Sequence, residues 1–378
     1  MSRRLKIALI APGFSRDERD WAIPVLQNIV LGLSEMHDLH VFALRYPHLE
    51  EPYHFGKAKI IPFGWGYRSG LRRIVLLREA AANIDLAHQK ERFNLVHAFW
   101  ADEPGYLAAG LKEKSGIPAV VSVMGGELVR FDGKSYGGLR SRINRYLTRA
   151  ALKGATHVTI GSKFARNRAD IQITGEDWQI LPLGVDVDRF QAENEALRQP
   201  ASFNLLSVAS LTPIKGHATL IHAFQKINQE LPETRLDLVG GGPLLDELKS
   251  LSASLNLENC VTFHGAVPHE EMVTYYRQAD LYVQSSFYES QGMAVLEAAA
   301  CGVPVTGTSV GILPELDTHA QLASPGDQDS LYRAVAGLIR DTQARAAASA
   351  RVVESARREY SLQNYLSKLN KIYQAALR

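Results

Sequence analysis

The chain has 378 residues, 46% hydrophobic and 22% charged, with a formal net charge of +2 at pH 7. At roughly 150 residues per domain this length implies two or three domains, and the composition is that of a soluble globular chain. The near-balance of charge argues against a general nucleic-acid binder, and two cysteines, Cys260 and Cys301, each in an apolar segment, suit reduced thiols in the cytosol better than a disulfide framework.

The opening "MSRRLKIALIAPGF" imitates a signal peptide, but its apolar run stops at Pro12 and Gly13 without a small-residue cleavage site and charged "SRDERD" follows. A first buried strand is the better reading. Short apolar runs then recur between amphipathic ones: "DLHVFAL", "KIIPF", "NLVHAF", "PAVVSVM", "THVTIG" and "WQILPL". Runs this short and rich in Ile and Val predict strands of a buried parallel sheet with helices between them. The polar segment "GVDVDRFQAENEALRQPAS" reads as a linker, after which the rhythm restarts with "FNLLSVAS", "RLDLVG", "CVTFHG", "DLYVQS" and "GVPVTGT". The expected architecture is α/β: two doubly wound Rossmann-like domains in tandem, with strand carboxyl ends facing a cleft between them. From about Gln328 the pattern is helical, ending in a helix that starts at Ser361 and carries a stripe of Leu362, Tyr365, Leu366, Leu369 and Tyr373. No run has the roughly 20 mainly apolar residues of a membrane-spanning helix; Ala298 to Pro314 comes nearest and is broken by Gly and Pro.

The chemistry concentrates in the second half. In "LDLVGGGPLLDELKS" the glycines Gly240, Gly241 and Gly242 permit close backbone approach at a strand-to-helix turn, but Leu245 stands where a dinucleotide fingerprint needs a further glycine. Lys215 and Gly216, between a strand and a helix, would set a charged donor at the cleft mouth; a solvated lysine is the bland alternative. The stretch "YESQGMAVLEAAACGVPV" holds Glu289 and Glu297 eight residues apart around Gly292. One regular helix would splay them by roughly 80°, so Glu289 belongs on a loop and the helix begins near Gln291 or Gly292, with Glu297 about one turn in. The amides of Gly292, Met293 and Ala294 then form an anion site, and the carboxylates beside it become acceptors for sugar and ribose hydroxyls. An ordinary dipole-favoured acid and a backbone-satisfied buried acid are the plainer readings of the two glutamates.

Taken in order and spacing, "TPIKGHATLIHAF", "LVGGGPLLDEL", "VTFHGAVPHEEM" and "YESQGMAVLEAAACGVPV" resemble the retaining glycosyltransferases of family 4, which have the GT-B fold. The likeness is tightest from Phe203 to Glu315 and looser before it. It implies residues 1–184 as an acceptor-side domain joined by a last helix of about 361–378, and 185–360 as the nucleotide-sugar domain. It also implies that Glu289 contacts the donor sugar, that Glu297 holds the ribose, and that Lys215 and the amides after Gly292 bind the diphosphate. Backbone from Gly265 to Val267 would frame the base, with no metal or other cofactor required. Three positions depart from the pattern: Ser210 replaces an arginine, Met124 replaces a histidine, and Gly13 is the single glycine of a usually glycine-rich loop.

On the acceptor side the resemblance points to Gly13, Met124, Glu127 and His97, the last as a candidate catalytic group beside Glu289 and Lys215, although a lone histidine is more often structural and the two readings stand about even. The basic residues Arg140, Arg142, Arg145, Arg149 and Lys153 offer contact with an anionic membrane or a phosphorylated acceptor. Helical spacing favours instead a solvated outer face over Ile143 and Leu147 packed inward. The expected activity is transfer of a sugar from a nucleotide diphosphate sugar to an acceptor hydroxyl with retention, in the cytoplasm or at the inner membrane face. The competing class is a binding protein on the same fold whose catalysis has decayed. A nucleotide-sugar epimerase is a third option, without an identifiable acid–base pair.

Overall fold

The computed structural model describes residues 4–67, 70–171, 178–192, 202–318 and 321–378; Met1–Arg3 and linker residues 193–201 lie outside them. The chain divides into two compact units: Met1–Gly161 with Arg166–Gly184 and Leu362–Arg378, and Val185–Ser361 with the short piece Ser162–Ala165.

Unit 1 runs β1 (Lys6–Gly13), α1 (Pro24–Met36), β2 (Asp38–Tyr46), β3 (Tyr53–Phe55), β4 (Ala58–Pro62), α2 (Gly70–Glu91), β5 (Leu95–Phe99), α3 (Glu103–Ser115), β6 (Ala119–Val123), α4 (Arg142–Gly154) and β7 (His157–Ile160), and after α5 (Lys163–Asn167) it ends its sheet with β8 (Trp178–Ile180). The strand order is β3-β4-β2-β1-β5-β6-β7-β8, parallel throughout except where β3 pairs antiparallel with β4. All five residues of β5 and of β6 are buried, as a sheet covered on both faces requires. The six sequence-predicted strands after β1 appear as β2 and β4 to β8, while β3, three residues at the sheet edge, is an addition. Local signals set the helix ends: Pro24 opens α1, Ser141 accepts the Asn144 N–H at the start of α4, and Gly116 at φ 76° closes α3.

Unit 2 continues with β9 (Phe203–Val208), α6 (His217–Glu230), β10 (Thr234–Val239), α7 (Leu245–Ser254), β11 (Val261–Gly265), α8 (Met272–Gln278), β12 (Leu281–Gln284), α9 (Met293–Ala300), β13 (Val305–Gly307), α10 (Gln328–Arg340) and α11 (Thr342–Arg358). Its five-stranded parallel sheet has the order β11-β10-β9-β12-β13, a doubly wound arrangement that reverses direction beside β9. Apolar cores lie on both faces, one built on Leu220, Phe224, Leu236 and Val335, the other on Tyr276, Leu296, Val305 and Val352.

The last helix, α12 (Leu362–Ala376), returns to unit 1 and packs on α1 and β6. Tyr365, Leu366, Leu369 and Tyr373 of the sequence-predicted stripe are buried, and so is Ile372. Gly32 of α1 makes this packing close: a methyl group there would lie 2.3 Å from Leu366 Cδ1.

Candidate active site

In unit 2 the carboxyl ends of β9, β10 and β12 carry the residues that the sequence singles out. Past β9 the chain enters a short 3-10 turn, Pro213–Lys215, and crosses Gly216 at φ 68° before α6 begins. A Cβ at Gly216 would stand 2.1 Å from the Ser285 carbonyl oxygen, so only glycine lets this turn approach the loop after β12. The two loops are stitched together: Phe287 N–H donates to Ile214 O, and Ser285 Oγ donates to Lys215 O at 2.9 Å.

That stitching brings Lys215 Nζ to 2.6 Å from Glu289 Oε1, which also accepts from Ser286 Oγ at 2.7 Å. Both side chains of the ion pair are largely, but not wholly, buried. Gly292, at φ 95°, is the N-cap residue of α9, so Met293 and Ala294 lie in its first turn, where the backbone N–H groups have no carbonyl one turn back. Glu297 follows on the same helix and is buried; its Oε2 accepts from Tyr276 O–H at 2.7 Å and its Oε1 lies 2.9 Å from His269 Nε2. The structure thus puts Glu289 on the loop and Glu297 in the helix, resolving the eight-residue spacing as two different environments. At the next strand ends, Gly240 and Gly242 pass against the carbonyls of Ala209 and Leu211, each too near for a Cβ. Gly240 N–H donates to Gly265 O, Gly265 itself faces open space, and Val267 follows half-buried. Ser210 is exposed, with its hydroxyl 3.5 Å from that of Thr212.

Unit 1 holds the remaining candidates. Gly13 closes β1 against the Tyr46 backbone, and Met124 follows β6. Glu127 is buried, and its carboxylate accepts the N–H groups of Ala101, Met124 and Gly125 at 3.3, 3.0 and 2.6 Å. It thereby ties the loop after β5 to the loop after β6. Burial, and then the neighbouring Asp102, push its carboxyl up to about 7 against those amides.

His97 requires a correction. It lies mid-strand in β5 with no exposed surface, its Nδ1 2.7 Å from Tyr373 O–H of α12 and its Nε2 2.8 Å from Ser122 Oγ, which continues to Thr159 Oγ1 at 2.7 Å. Both ring nitrogens are engaged, and burial pulls its pKa down to about 3. The imidazole is a neutral core group that joins α12 to the sheet, and it has neither the exposure nor a free nitrogen for a substrate.

Two families match the sequence: Glycosyltransferase Family 4 over residues 25–189 and Glycosyl transferases group 1 over residues 188–357. A GDP-mannose-dependent alpha-(1-6)-phosphatidylinositol monomannoside mannosyltransferase of Mycolicibacterium smegmatis is 30% identical over 267 residues, 66% of this chain and 68% of the relative. The chain belongs to glycosyltransferase family 4. Solved structures agree on the fold, which is GT-B. Sucrose-phosphate synthase of Thermosynechococcus elongatus superposes with a TM-score of 0.79 at 21% identity, covering 98% of this chain and 99% of that one. Anabaena HepE in complex with UDP and glucose does so at 0.76 and 19%, covering 98% and 100%.

Several groups of this family 4 chain escape a reading of the sequence. Tyr276 and His269 fix Glu297 from α8 and the turn before it, and Ser286 shares Glu289 with Lys215. Ser162 Oγ donates to Ser290 O at 2.6 Å and so braces the Glu289 loop. His217, first residue of α6, is buried with neither ring nitrogen hydrogen-bonded, and burial together with the charge of Lys215 lowers its pKa to about 4. The "YY" of "EEMVTYYRQ" and the "SS" before "FYES" were the available signals, but neither pair of letters has a spacing that ties it to a carboxylate.

Proposed function

We propose that the chain transfers a sugar from a nucleotide diphosphate sugar to an acceptor hydroxyl with retention of anomeric configuration and without a metal ion. The observation that carries this reading is the Lys215–Glu289 pair at 2.6 Å, held beside the first turn of α9 with Glu297 on the same helix. Breaking the bond between the anomeric carbon and the phosphate oxygen loads negative charge on the leaving diphosphate. Lys215 and the α9 amides are the groups suited to receive that charge, and they stabilise it most in the transition state. Glu289, oriented by Lys215 and Ser286, accepts hydrogen bonds from the sugar; Glu297, fixed by Tyr276 and His269, accepts from the ribose. In the front-face route the leaving phosphate oxygen takes the acceptor proton while the acceptor oxygen bonds to the anomeric carbon. The Mycolicibacterium relative uses GDP-mannose and the Anabaena structure holds UDP, so both nucleotides belong in the first donor panel.

Two residues favour a second reading, nucleotide binding without transfer: exposed Ser210 stands where the family pattern has a second cation, and Met124 where it has a histidine. The test is release of nucleoside diphosphate from a panel of nucleotide sugars, with mixed sugar, lipid and small-alcohol acceptors and with chelator present. Release from one donor, abolished in Glu289→Ala and giving a product of unchanged anomeric configuration by NMR, supports transfer. Tight nucleotide binding with no release from any donor favours the second reading.

A further inference from the structure

In the unit 1 sheet the strand order reverses between β1 and β5, and ligands of open α/β sheets bind beside the strand-carboxyl ends at such a point. Trp100 is the first residue past β5, and its φ of 75° lies in the left-handed region, where a bulky side chain is strained. Two hydrogen bonds hold it there: Trp100 N–H donates to Ser122 O at 2.9 Å, and Trp100 O accepts from the Gly105 N–H of α3 at 3.0 Å. The indole is thereby set against the loop after β6, where a Cβ on Gly125 would stand 3.4 Å from Trp100 Nε1. It is half-buried, and among the described residues its N–H donates to no protein group. Strain maintained in this way is a mark of a side chain that must be presented.

A second aromatic covers the next residue of that loop. Phe131 and Tyr136 bridge antiparallel around the 3-10 turn Asp132–Lys134, and Gly138 N–H donates to Gly126 O at 2.8 Å. The half-buried Tyr136 ring then lies so close on Gly126 that a Cβ there would meet its Cε1, Cζ and Oη at 2.7, 2.8 and 2.9 Å. Gly137, at φ 105°, is needed for the same approach, since a Cβ on it would stand 2.1 Å from Val129 O. Met124, Gly125 and Gly126 thus form a floor with an indole against one glycine and a phenol against the next.

The amides of this floor are closed to anions. Those of Ala101, Met124 and Gly125 could have cradled a phosphate, but all three donate to the buried Glu127 carboxylate. Nearby guanidinium groups are engaged with acids: Arg45 and Arg73 with Glu103, Arg130 and Arg140 with Asp132, and Arg168 with Asp170. What the floor offers instead is a thioether, two aromatic faces, an indole N–H and a phenol oxygen. Apolar faces with polar edges suit a ring that carries C–H groups on its faces and hydroxyls around its rim.

We infer that Trp100 and Tyr136 form the acceptor subsite and that it takes a neutral sugar ring, not a phosphorylated one. The word acceptor rests on the transfer reading, so the test reads binding apart from turnover. The full chain, with UDP, with GDP and with neither, is titrated by saturation-transfer NMR with the methyl α-glycosides of glucose, mannose and galactose and with glucose 6-phosphate and mannose 6-phosphate. At least one neutral glycoside is expected to bind more tightly than either phosphate. Trp100→Ala and Tyr136→Ala should each weaken it about threefold to tenfold, the size of one aromatic contact, with nucleotide dissociation constants within about twofold of the parent. Trp100→Phe, which keeps a ring without the N–H, should fall between, and Tyr136→Ala carries the test should Trp100→Ala fail to fold by circular dichroism. Binding by no neutral glycoside, equal or tighter binding of the 6-phosphates, or parent-like binding by either folded alanine variant overturns the inference. Trp100-dependent glycoside binding in a chain that releases nucleoside diphosphate from no donor supports the ring subsite while refuting transfer. Release with an unaltered acceptor KM in both variants does the reverse.

Discussion

Replacing His97 by Phe separates a structural from a catalytic role with one protein. The ring is kept, so the change removes mainly the two hydrogen bonds to Tyr373 and Ser122. Ser122 retains Thr159, but among the described residues the fully buried Tyr373 hydroxyl has His97 as its hydrogen-bond partner and no other. An orphaned buried hydroxyl costs about 1–3 kcal/mol, and the slightly larger ring adds strain of about 1 kcal/mol, giving a loss of about 2–4 kcal/mol. Urea denaturation followed by circular dichroism reads this as an earlier midpoint of the transition that includes unit 1. Donor turnover of the still-folded variant should stay within a few-fold of the parent. An unmoved midpoint with turnover down a hundredfold would refute the reasoning and return His97 to the active site.

The same residue predicts an acid dependence with a definite sign. Folded His97 has a pKa of about 3, against about 6.5 when unfolded, so between those values the unfolded chain binds a proton that the folded chain does not. Its contribution is fully present above about pH 6.5 and is lost as pH falls toward about 3. Integrated from pH 7 to pH 5, the loss is about 2 kcal/mol, and it should be missing in His97→Phe. Parallel melts of the two proteins at those pH values give the difference directly.

Other outcomes follow from unit 2. Lys215→Ala should reduce turnover about 10²–10³-fold, the usual effect of losing one donor at a developing anion, and Glu289→Ala should abolish it by removing the acceptor that orients the sugar; unchanged turnover in either removes its assigned role. Glu297→Ala leaves Tyr276 and His269 without their shared partner and should raise the nucleotide dissociation constant about tenfold or more by calorimetry; an unaltered constant places the ribose elsewhere. Gly216→Ala adds at least about 1 kcal/mol of left-handed backbone strain and a clash with Ser285 O, so it should lower both melting temperature and donor affinity, whereas a parent-like melt would mean that the turn relaxes freely. Turnover measured after exhaustive chelation should match untreated enzyme, and its recovery only on adding a divalent ion would overturn the metal-free reading.

What was legible in the sequence is what the chain encodes locally. A parallel strand buried on both faces is a continuous apolar run, so β5 and β6 announce themselves, while β3 has three residues, an antiparallel partner and no such run. The Glu289–Gly292–Glu297 geometry was readable because one loop and one helix start fix it, and eight residues cannot converge otherwise. Its supports were not, since Tyr276 and His269 reach Glu297 from a turn and helix placed by β11 and β12, and no spacing connects them.

His97 marks the sharper limit. A strand alternates its side chains between two faces, and sequence gives the alternation without saying what covers each face. Here the cover is α12, whose Tyr373 lies 276 residues further on, so the histidine's partner is decided by the return of the chain terminus to unit 1. Ile143, expected to pack inward with Leu147, illustrates the same limit on a helix: Leu147, Thr148 and Ala151 are buried, whereas Ile143 is 39% exposed at the edge of that face. The i, i+4 relation to Leu147 fixes which residues are neighbours, but the roll of α4 against α3 and β6 decides which edge of that stripe is covered. The residues misassigned from sequence are thus the ones whose environment is set by distant packing.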